Sequence, residues 1–325
     1  MSNIFDALQI SENEQAGSDS SQPAKATELL QRAERRAVSN WEATVSDVGP
    51  EATSFADNNE IVVRDTIPLA GAVAVAPGNA EGLSADERSD ILSRFQSLPI
   101  SLPSQSRLVC LTDKENPTAE AIRLLGVRLR DLRRIRRLKK VLITSTIPQE
   151  GKSTIAANLA CALAHAPNEK TLLVEGDLRH PSLSKMFGIQ KCHGINDWLR
   201  GESGPLADIY HLNEAGLWLL PASDATSNPI ELLQSHKLST VMEQLTAWFD
   251  WIIIDSPPVL PLADTSVWMR FADGVLLVTR QGTTEKRQLQ NGLQALDSTK
   301  LLGAVVNGSM ASAYSGYYYR SSSVS

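Results

Sequence analysis

The chain has 325 residues, of which 42% are hydrophobic and 21% charged, and its formal net charge is −6. This length and composition allow a domain with a substantial core. The acidic balance argues against nucleic-acid binding, which requires a strongly basic face. The three cysteines, Cys110, Cys161 and Cys192, have no CxxC spacing and predict neither a disulfide framework nor a zinc site.

Residues 1–105 are predicted to form a mostly disordered N-terminal extension and linker. Their first sixty positions are acidic, poor in aromatic residues and rich in Ser, Ala, Gln and Asn, a composition that cannot bury enough apolar surface to fold. A short helix is predicted after Ser84. Because no apolar run is long enough to cross a bilayer and no signal-peptide pattern is present, the sequence predicts a cytoplasmic protein that reaches a membrane only through a partner.

A compact domain is predicted for residues 106–312. Pro117 opens a helical pattern that continues through Leu132 and merges into a basic stretch, residues 128–140. That stretch is interpreted as a solvated helix face, with a subunit contact or an anionic membrane surface as the alternatives.

Beyond residue 140, short apolar runs alternate with helical patterns. The runs are 141–143, 172–174, 217–220, 251–254, 275–278 and 302–306, and the helices are expected over 152–165, 231–248 and 284–296. Strands that are apolar on both faces belong to a parallel sheet covered by helices. The predicted fold class is therefore α/β, a doubly wound, mostly parallel sheet flanked by helices.

The strongest motif lies between the first of these strands and the helix that follows it. Its residues are Pro148, Gln149, Glu150, Gly151, Lys152, Ser153 and Thr154. A phosphate-binding loop occupies this position in nucleotide-binding α/β proteins, because loop and helix N–H groups hold the phosphates. Lys152 would neutralise the transferred phosphate of ATP and Ser153 would bind Mg²⁺.

Two further strand ends carry acidic residues. Asp255 follows the apolar run 251–254, and it could hold Mg²⁺ directly or through water. Glu175 and Asp177 leave the run 172–174, followed by Arg179. These two carboxylates could divide the work of accepting a proton and organising the metal, and Arg179 could contact phosphate charge.

The C-terminal segment, residues 313–325, is predicted to be a flexible tail. It contains four of the five tyrosines, which are Tyr314, Tyr317, Tyr318 and Tyr319. Clustered hydroxyl groups among Ser and Gly favour a phosphorylation substrate. The alternative is an aromatic anchor that folds back onto the domain.

Together these segments resemble the bacterial tyrosine kinases of polysaccharide export, the CpsD/CapB type of autokinase. The resemblance covers roughly residues 107–319. It implies that Lys152 and Ser153 belong to the first Walker motif, Glu175, Asp177 and Arg179 to the second, and Asp255 to the third. In the family the first carboxylate of the second motif is an Asp that activates the tyrosine hydroxyl, and here it is Glu175.

The resemblance also implies partners. In the family a membrane-bound chain-length regulator activates the kinase at the inner face of the cell membrane. A Glu-x-x-Arg-x-x-Arg helix motif there builds a ring in which one subunit phosphorylates its neighbour's tail. Glu120 and Arg123 match this motif, and Gly126 stands at its third position. The implied function is an ATP-dependent autokinase that regulates polymerisation and export of exopolysaccharide or capsule.

Two other interpretations remain open. One is a partitioning ATPase of the MinD/ParA type, although Ile147 stands where such proteins carry an additional Lys. The other is a catalytically weakened ATP-binding switch that acts on the same export machinery.

Overall fold

The computed structural model describes residues 84–103, 106–166, 168–189, 192–260 and 262–308. Their central element is an eight-stranded sheet with helices on both faces. The strands are β1 (Gln96–Leu98), β2 (Lys140–Ser145), β3 (Thr171–Glu175), β4 (Tyr210–Leu212), β5 (Leu217–Leu220), β6 (Trp251–Asp255), β7 (Gly274–Arg280) and β8 (Leu301–Asn307). The helices are α1 (Ala85–Ser93), α2 (Val109–Thr112), α3 (Pro117–Ile135), α4 (Lys152–Ala164), α5 (Leu183–Met186), α6 (Ile195–Arg200), α7 (Pro205–Asp208), α8 (Pro229–Leu233), α9 (His236–Trp248), α10 (Asp264–Phe271) and α11 (Lys286–Ala295).

The strand order is β1-β4-β5-β3-β6-β2-β7-β8. Neighbouring strands are parallel except β4 and β5, so β1 and β4 run against the other six. The predicted doubly wound, mostly parallel sheet is therefore confirmed. Strands β3, β6 and β2 are neighbours at its centre, which places their carboxyl ends side by side.

The core lies on both faces of these central strands. All five residues of β3 and of β6 are buried, as the continuous apolar runs predicted. Helix α4 is buried from Ile155 to Leu163, which explains why its sequence is apolar all round rather than on one stripe.

The sheet begins earlier in the chain than residue 106. Strand β1 pairs with β4, and the Arg88 guanidinium of α1 lies 2.9 Å from the Asp250 carboxylate. Helix α1 starts after Ser84, as expected, with Ser84 and Glu87 forming a capping box. A three-residue edge strand is too short to show a period, so the sequence alone predicts extension and linker before residue 106.

Two predicted helices differ in their bounds. The helix expected over 231–248 is two helices, α8 and α9, separated at Gln234 and Ser235. The helix expected from Thr284 begins at Lys286, because the Thr284 side chain takes part in the preceding turn. Among the described residues, none of the helices combines the length and apolar character that crossing a bilayer requires.

Candidate active site

The three predicted phosphate-site motifs meet at the carboxyl ends of β2, β3 and β6. The loop 146–151 joins β2 to α4, Asp177 follows β3, and Asp255 ends β6. Because these strands are adjacent in the sheet, the motifs converge at one edge of it, where parallel sheets place their ligand sites.

The loop between β2 and α4 has a conformation that favours glycine at two positions. Gly151 has φ +91° and Gln149 has φ +67°. A Cβ atom at Gly151 would lie 2.1 Å from Nδ2 of Asn307, so a side chain there would displace the Asn307 amide from the Glu150 carbonyl. Gln149 adopts the left-handed conformation at a cost, since a side chain disfavours it.

Glu150 supports this loop from within. Its side chain is fully buried, and Oε2 accepts a hydrogen bond from the Ile147 N–H at 2.8 Å. The Thr284 hydroxyl donates to Oε1, and the Asn307 amide donates to the Glu150 carbonyl at 2.8 Å. The side chain of Glu150 therefore shapes the loop, while Pro148 and Gln149 are exposed.

The start of α4 supplies donors for an anion. The first helical bond runs from the Ile155 N–H to the Gly151 carbonyl. The N–H groups of Lys152, Ser153 and Thr154 precede it and have no intrahelical acceptor. A helix N-terminus of this kind favours phosphate.

Lys152 lies between two carboxylates. Its Nζ is 2.8 Å from Asp177 Oδ2, 3.9 Å from Asp255 Oδ1 and 3.3 Å from the Ser153 hydroxyl. Burial lowers the pKa of Lys152, but the charges of Asp255 and Asp177 outweigh it and hold that pKa above its usual value. Lys152 is therefore a fixed positive charge at the site.

Asp255 is fully buried, and neither of its carboxylate oxygens has a hydrogen-bond partner of normal geometry among the described residues. Burial raises its pKa, while Lys152 and the Ser153 hydroxyl oppose that shift. Lys152 provides a positive charge 3.9 Å away, and a cation bound directly to the carboxylate would also satisfy the two oxygens that lack hydrogen bonds. The donor set of Asp255, Ser153 and Asp177 consists of oxygens, which is what Mg²⁺ prefers.

Asp177 is oriented by two contacts, one to Lys152 and one from the His180 N–H to Oδ1 at 3.1 Å. Gly176, the preceding residue, is closely packed. A Cβ atom added there would lie 2.9 Å from both the Asp255 carbonyl oxygen and the Trp268 ring. The glycine thus allows β3 to deliver Asp177 beside Asp255.

Glu175 is surrounded by backbone donors. Its Oε1 accepts from the N–H groups of Ser182 and Leu183, the latter at 2.5 Å, and Oε2 accepts from the Ala222 N–H at 3.0 Å. Burial raises the pKa of Glu175 and these hydrogen bonds oppose the rise. The carboxylate thus connects β3 to the start of α5 and to the segment after β5.

Arg179 forms an ion pair that the sequence did not predict. Its Nε lies 2.6 Å from Asp264 Oδ2 and its Nη2 lies 3.2 Å from Oδ1. Asp264 is the first residue of α10 and is 1% exposed. The only local signal was an acidic residue at a helix start.

The predicted oligomer contact lies on α3. Arg123 and Glu120 form an exposed ion pair, with Nη2 2.5 Å from Oε2. Gly126 is buried, with Leu163 of α4 the nearest side chain to an added Cβ. The predicted phosphoacceptors, Tyr314, Tyr317, Tyr318 and Tyr319, lie outside the described residues.

The fold and the convergence of loop, lysine and carboxylates define a P-loop nucleotide-binding protein. Residues 149–301 match the family model described as an AAA domain. The tyrosine-protein kinase YwqD of Bacillus subtilis is 35% identical over 217 residues, which are 66% of this chain and 91% of that protein. The tyrosine-protein kinase CpsD of Streptococcus pneumoniae is 36% identical over 177 residues, 53% of this chain and 76% of that protein.

Solved structures agree. The chimeric protein CapA2B2 has a TM-score of 0.59 at 29% identity, covering 67% of this chain and 97% of that chain. The VpsO kinase domain has a TM-score of 0.55 at 32% identity, covering 58% of this chain and 94% of that chain. The chain belongs to the bacterial tyrosine kinases of the CpsD/CapB family, and the predicted resemblance is confirmed. It is thus a P-loop protein-tyrosine kinase.

Proposed function

We propose that the chain transfers the γ-phosphate of Mg-ATP to the tyrosines of its own C-terminal tail, Tyr314, Tyr317, Tyr318 and Tyr319. The observation that carries this proposal is the convergence of Lys152, Asp177 and Asp255 beside the start of α4. The Asn307 contact adds support, since β8 ends against the phosphate loop. Tyr314 is seven residues farther, a span of at most about 25 Å.

The described residues fit both ATP and magnesium. The free N–H groups at the start of α4 and the ammonium of Lys152 suit the β- and γ-phosphates. Ser153, Asp177 and Asp255 offer oxygen ligands, and the unpartnered oxygens of Asp255 support a cation there. When bound, Mg²⁺ would supply positive charge that stabilises the phosphates of ATP.

The remaining side chains take separate roles in this proposal. Lys152 stabilises charge on the transferred phosphoryl group, and Arg179 adds a guanidinium to the same region. The resemblance gave the proton-accepting role to Glu175. Because its oxygens already accept three backbone hydrogen bonds, we propose instead that Glu175 fixes the loop that carries Asp177 and Arg179.

Assembly and regulation form the second half of the proposal. Glu120 and Arg123 would join copies into a ring in which tails are phosphorylated by neighbours. Exposed apolar residues on the same helix support a contact surface there: Leu124 is 39%, Val127 48% and Ile135 62% exposed. A membrane-bound regulator would recruit the kinase from the cytoplasm to the inner face of the membrane, where it controls exopolysaccharide or capsule polymerisation and export.

The proposal is tested by mixing two variants with Mg-ATP. The donor is a chain ending at Ser312, and the acceptor is the full chain carrying Lys152→Met. Mass spectrometry should find phosphotyrosine between Tyr314 and Tyr319 of the acceptor, but none when all four tyrosines are Phe. The reaction is run with and without the regulator's cytoplasmic segment.

If ATP is hydrolysed and the acceptor stays unlabelled under both conditions, the partitioning-ATPase interpretation replaces the autokinase. If ATP binds without hydrolysis or labelling, the chain is an ATP-dependent switch.

A further inference from the structure

A second group of metal-ligating side chains uses none of the phosphate-loop residues. It lies on the two short helices after α5: His193 precedes α6, Asp197 lies in the first turn of α6, and Asp208 ends α7. One nitrogen or oxygen atom from each residue lies within 4.8 Å of the others. Residues from two separate helices thus converge on one point.

The burial and hydrogen bonding of Asp208 are the evidence for a bound ligand at this group. It is 0% exposed. The Ser203 hydroxyl donates to its Oδ2 at 2.7 Å, whereas Oδ1 is buried and has no hydrogen-bond partner among the described residues. Burial also raises the pKa of Asp208 to about 6. A buried carboxyl oxygen without a hydrogen-bond partner is costly, and a bound cation would satisfy it.

Among the described residues, the side chains around Asp208 do not supply a cation for its unpartnered oxygen. His193 Nδ1 lies 3.3 Å from Asp197 Oδ2, which also accepts the Gly194 N–H at 3.1 Å. Arg200 faces the other oxygen of Asp197, at 3.6 Å. Within the described part of the chain, no Lys or Arg forms a salt bridge with Asp208.

The donor set decides the kind of cation. One imidazole and two carboxylates suit a borderline divalent ion such as Zn²⁺, whereas Mg²⁺ and Ca²⁺ prefer oxygen alone. With bonds of about 2.0–2.2 Å, two tetrahedral ligands lie roughly 3.3–3.6 Å apart, and the His193–Asp197 distance of 3.3 Å fits. His193 has a 69% exposed side chain, so it is free to move toward the buried Asp208.

The surrounding hydrogen bonds also match a built site. The Gly194 N–H donates to Asp197 Oδ2, the oxygen that lies beside His193, and the Ser203 hydroxyl donates to Asp208 Oδ2. Such outer contacts orient carboxylate ligands in metal proteins. After these contacts, Asp208 Oδ1 is the buried oxygen of the two carboxylates that has no hydrogen-bond partner among the described residues.

We propose that His193, Asp197 and Asp208 form a binding site for a divalent transition-metal cation, with Zn²⁺ the best match. The ion would join α6 to α7 and neutralise Asp208. Helix α6 contacts the chain after β5, since the Ile195 N–H donates to the Pro221 carbonyl at 2.8 Å. The Ala222 N–H that follows donates to Glu175, so the ion would stabilise the segment that positions that carboxylate.

The test is a zinc titration of the full chain, freed of metal and nucleotide, in competition with a fluorescent chelator at pH 7. We expect one equivalent of Zn²⁺ to bind and to raise the melting temperature. Affinity should fall at least about tenfold in His193→Gln and in Asp208→Asn. His193 is exposed and Asp208→Asn is nearly isosteric, so both variants should fold, which circular dichroism checks.

Three control variants locate the ion. Zinc affinity should be unchanged in His236→Gln, a matched exposed histidine on α9; in Cys192→Ser, a neighbouring thiol; and in Asp177→Asn, at the phosphate site. The proposal is overturned if no zinc binds, or if Asp208→Asn and His193→Gln bind it as the natural chain does. It is also overturned if Cys192→Ser or Asp177→Asn abolishes binding. None of these results depends on kinase activity.

Discussion

Arg179 and Asp264 form a two-point ion pair across 85 positions of the sequence, with Nε to Oδ2 at 2.6 Å and Nη2 to Oδ1 at 3.2 Å. Asp264 opens α10, where the helix dipole favours a carboxylate. The pair fixes the orientation of the Arg179 guanidinium beside the carboxyl end of β3. The Arg179 side chain is 28% exposed.

Asp264→Asn should therefore misplace Arg179 without removing it. We expect kcat for tyrosine phosphorylation to fall by about 10- to 100-fold, because small displacements of a positioned charge are costly in the transition state. KM for ATP should change little, since the loop and Lys152 are untouched. Steady-state kinetics measure both, with the exposed Asp90→Asn as the control. An unchanged kcat would remove Arg179 from the proposed chemistry.

Gln149→Gly should stabilise the protein. Gln149 has φ +67°, a conformation that costs a side-chain-bearing residue about 1–2 kcal/mol. The greater freedom of glycine in the unfolded chain offsets part of this gain, so the expected net increase is about 0.5–1 kcal/mol. Urea unfolding measures it, and Gln149→Ala is the control, because alanine keeps the left-handed penalty. If Gln149→Gly and Gln149→Ala have the same free energy of unfolding, the conformation of residue 149 does not strain a residue that carries a side chain.

The contact between Glu150 and Thr284 should decide the shape of the phosphate loop. Glu150→Ala leaves the Ile147 N–H and the Thr284 hydroxyl without their carboxylate, so we expect a loss of about 2–3 kcal/mol in the free energy of unfolding. ATP affinity should fall with it. Thr284→Val removes only the hydroxyl and should cost about half as much. Calorimetric ATP titration and urea unfolding test both, and unchanged ATP affinity in Glu150→Ala would show that the loop keeps its shape without this support.

Asp255 and Asp177 should respond differently to the loss of charge. Asp255 has no normal hydrogen bond but lies 3.9 Å from Lys152. Asp255→Asn therefore removes both the desolvation cost of a buried charge and its attraction to Lys152, and we expect the stability of the nucleotide-free chain to change by less than about 1 kcal/mol. Asp177 accepts from Lys152 and from the His180 N–H, so Asp177→Asn should lose about 1–3 kcal/mol.

Both of these variants should lose magnesium-dependent phosphotransfer. Differential scanning calorimetry without nucleotide, followed by kinase assays, separates the two effects. A large destabilisation in Asp255→Asn would mean that Asp255 is a structural residue of the nucleotide-free fold.

The central strands and the phosphate loop were predictable because each has a local signature. Strands β2, β3 and β6 are continuous apolar runs, and Lys152 opens an apolar helix directly after one of them. Strands β1 and β4 have three residues each, which are too few to show a period, so no local pattern predicts them.

The missed site contacts come from distant parts of the chain. Asp264 reaches Arg179, and Thr284 reaches Glu150 across 134 positions, and no local pattern encodes either pairing. The carboxylate of Glu175 was expected to face substrate, but its hydrogen bonds to backbone could be seen only once α5 and the chain after β5 were placed.

The central claim is that Lys152 drives phosphate transfer to tyrosine at this site. The direct measurement is quantitative mass spectrometry of phosphotyrosine after incubation of the full chain with Mg-ATP and the regulator's cytoplasmic segment. Lys152→Met is compared with Lys237→Met, an exposed lysine on α9. We predict phosphate on Tyr314 to Tyr319 in the natural chain and in Lys237→Met, with at least a hundredfold loss in Lys152→Met, about 3 kcal/mol of transition-state stabilisation. Equal labelling of Lys152→Met would contradict the account.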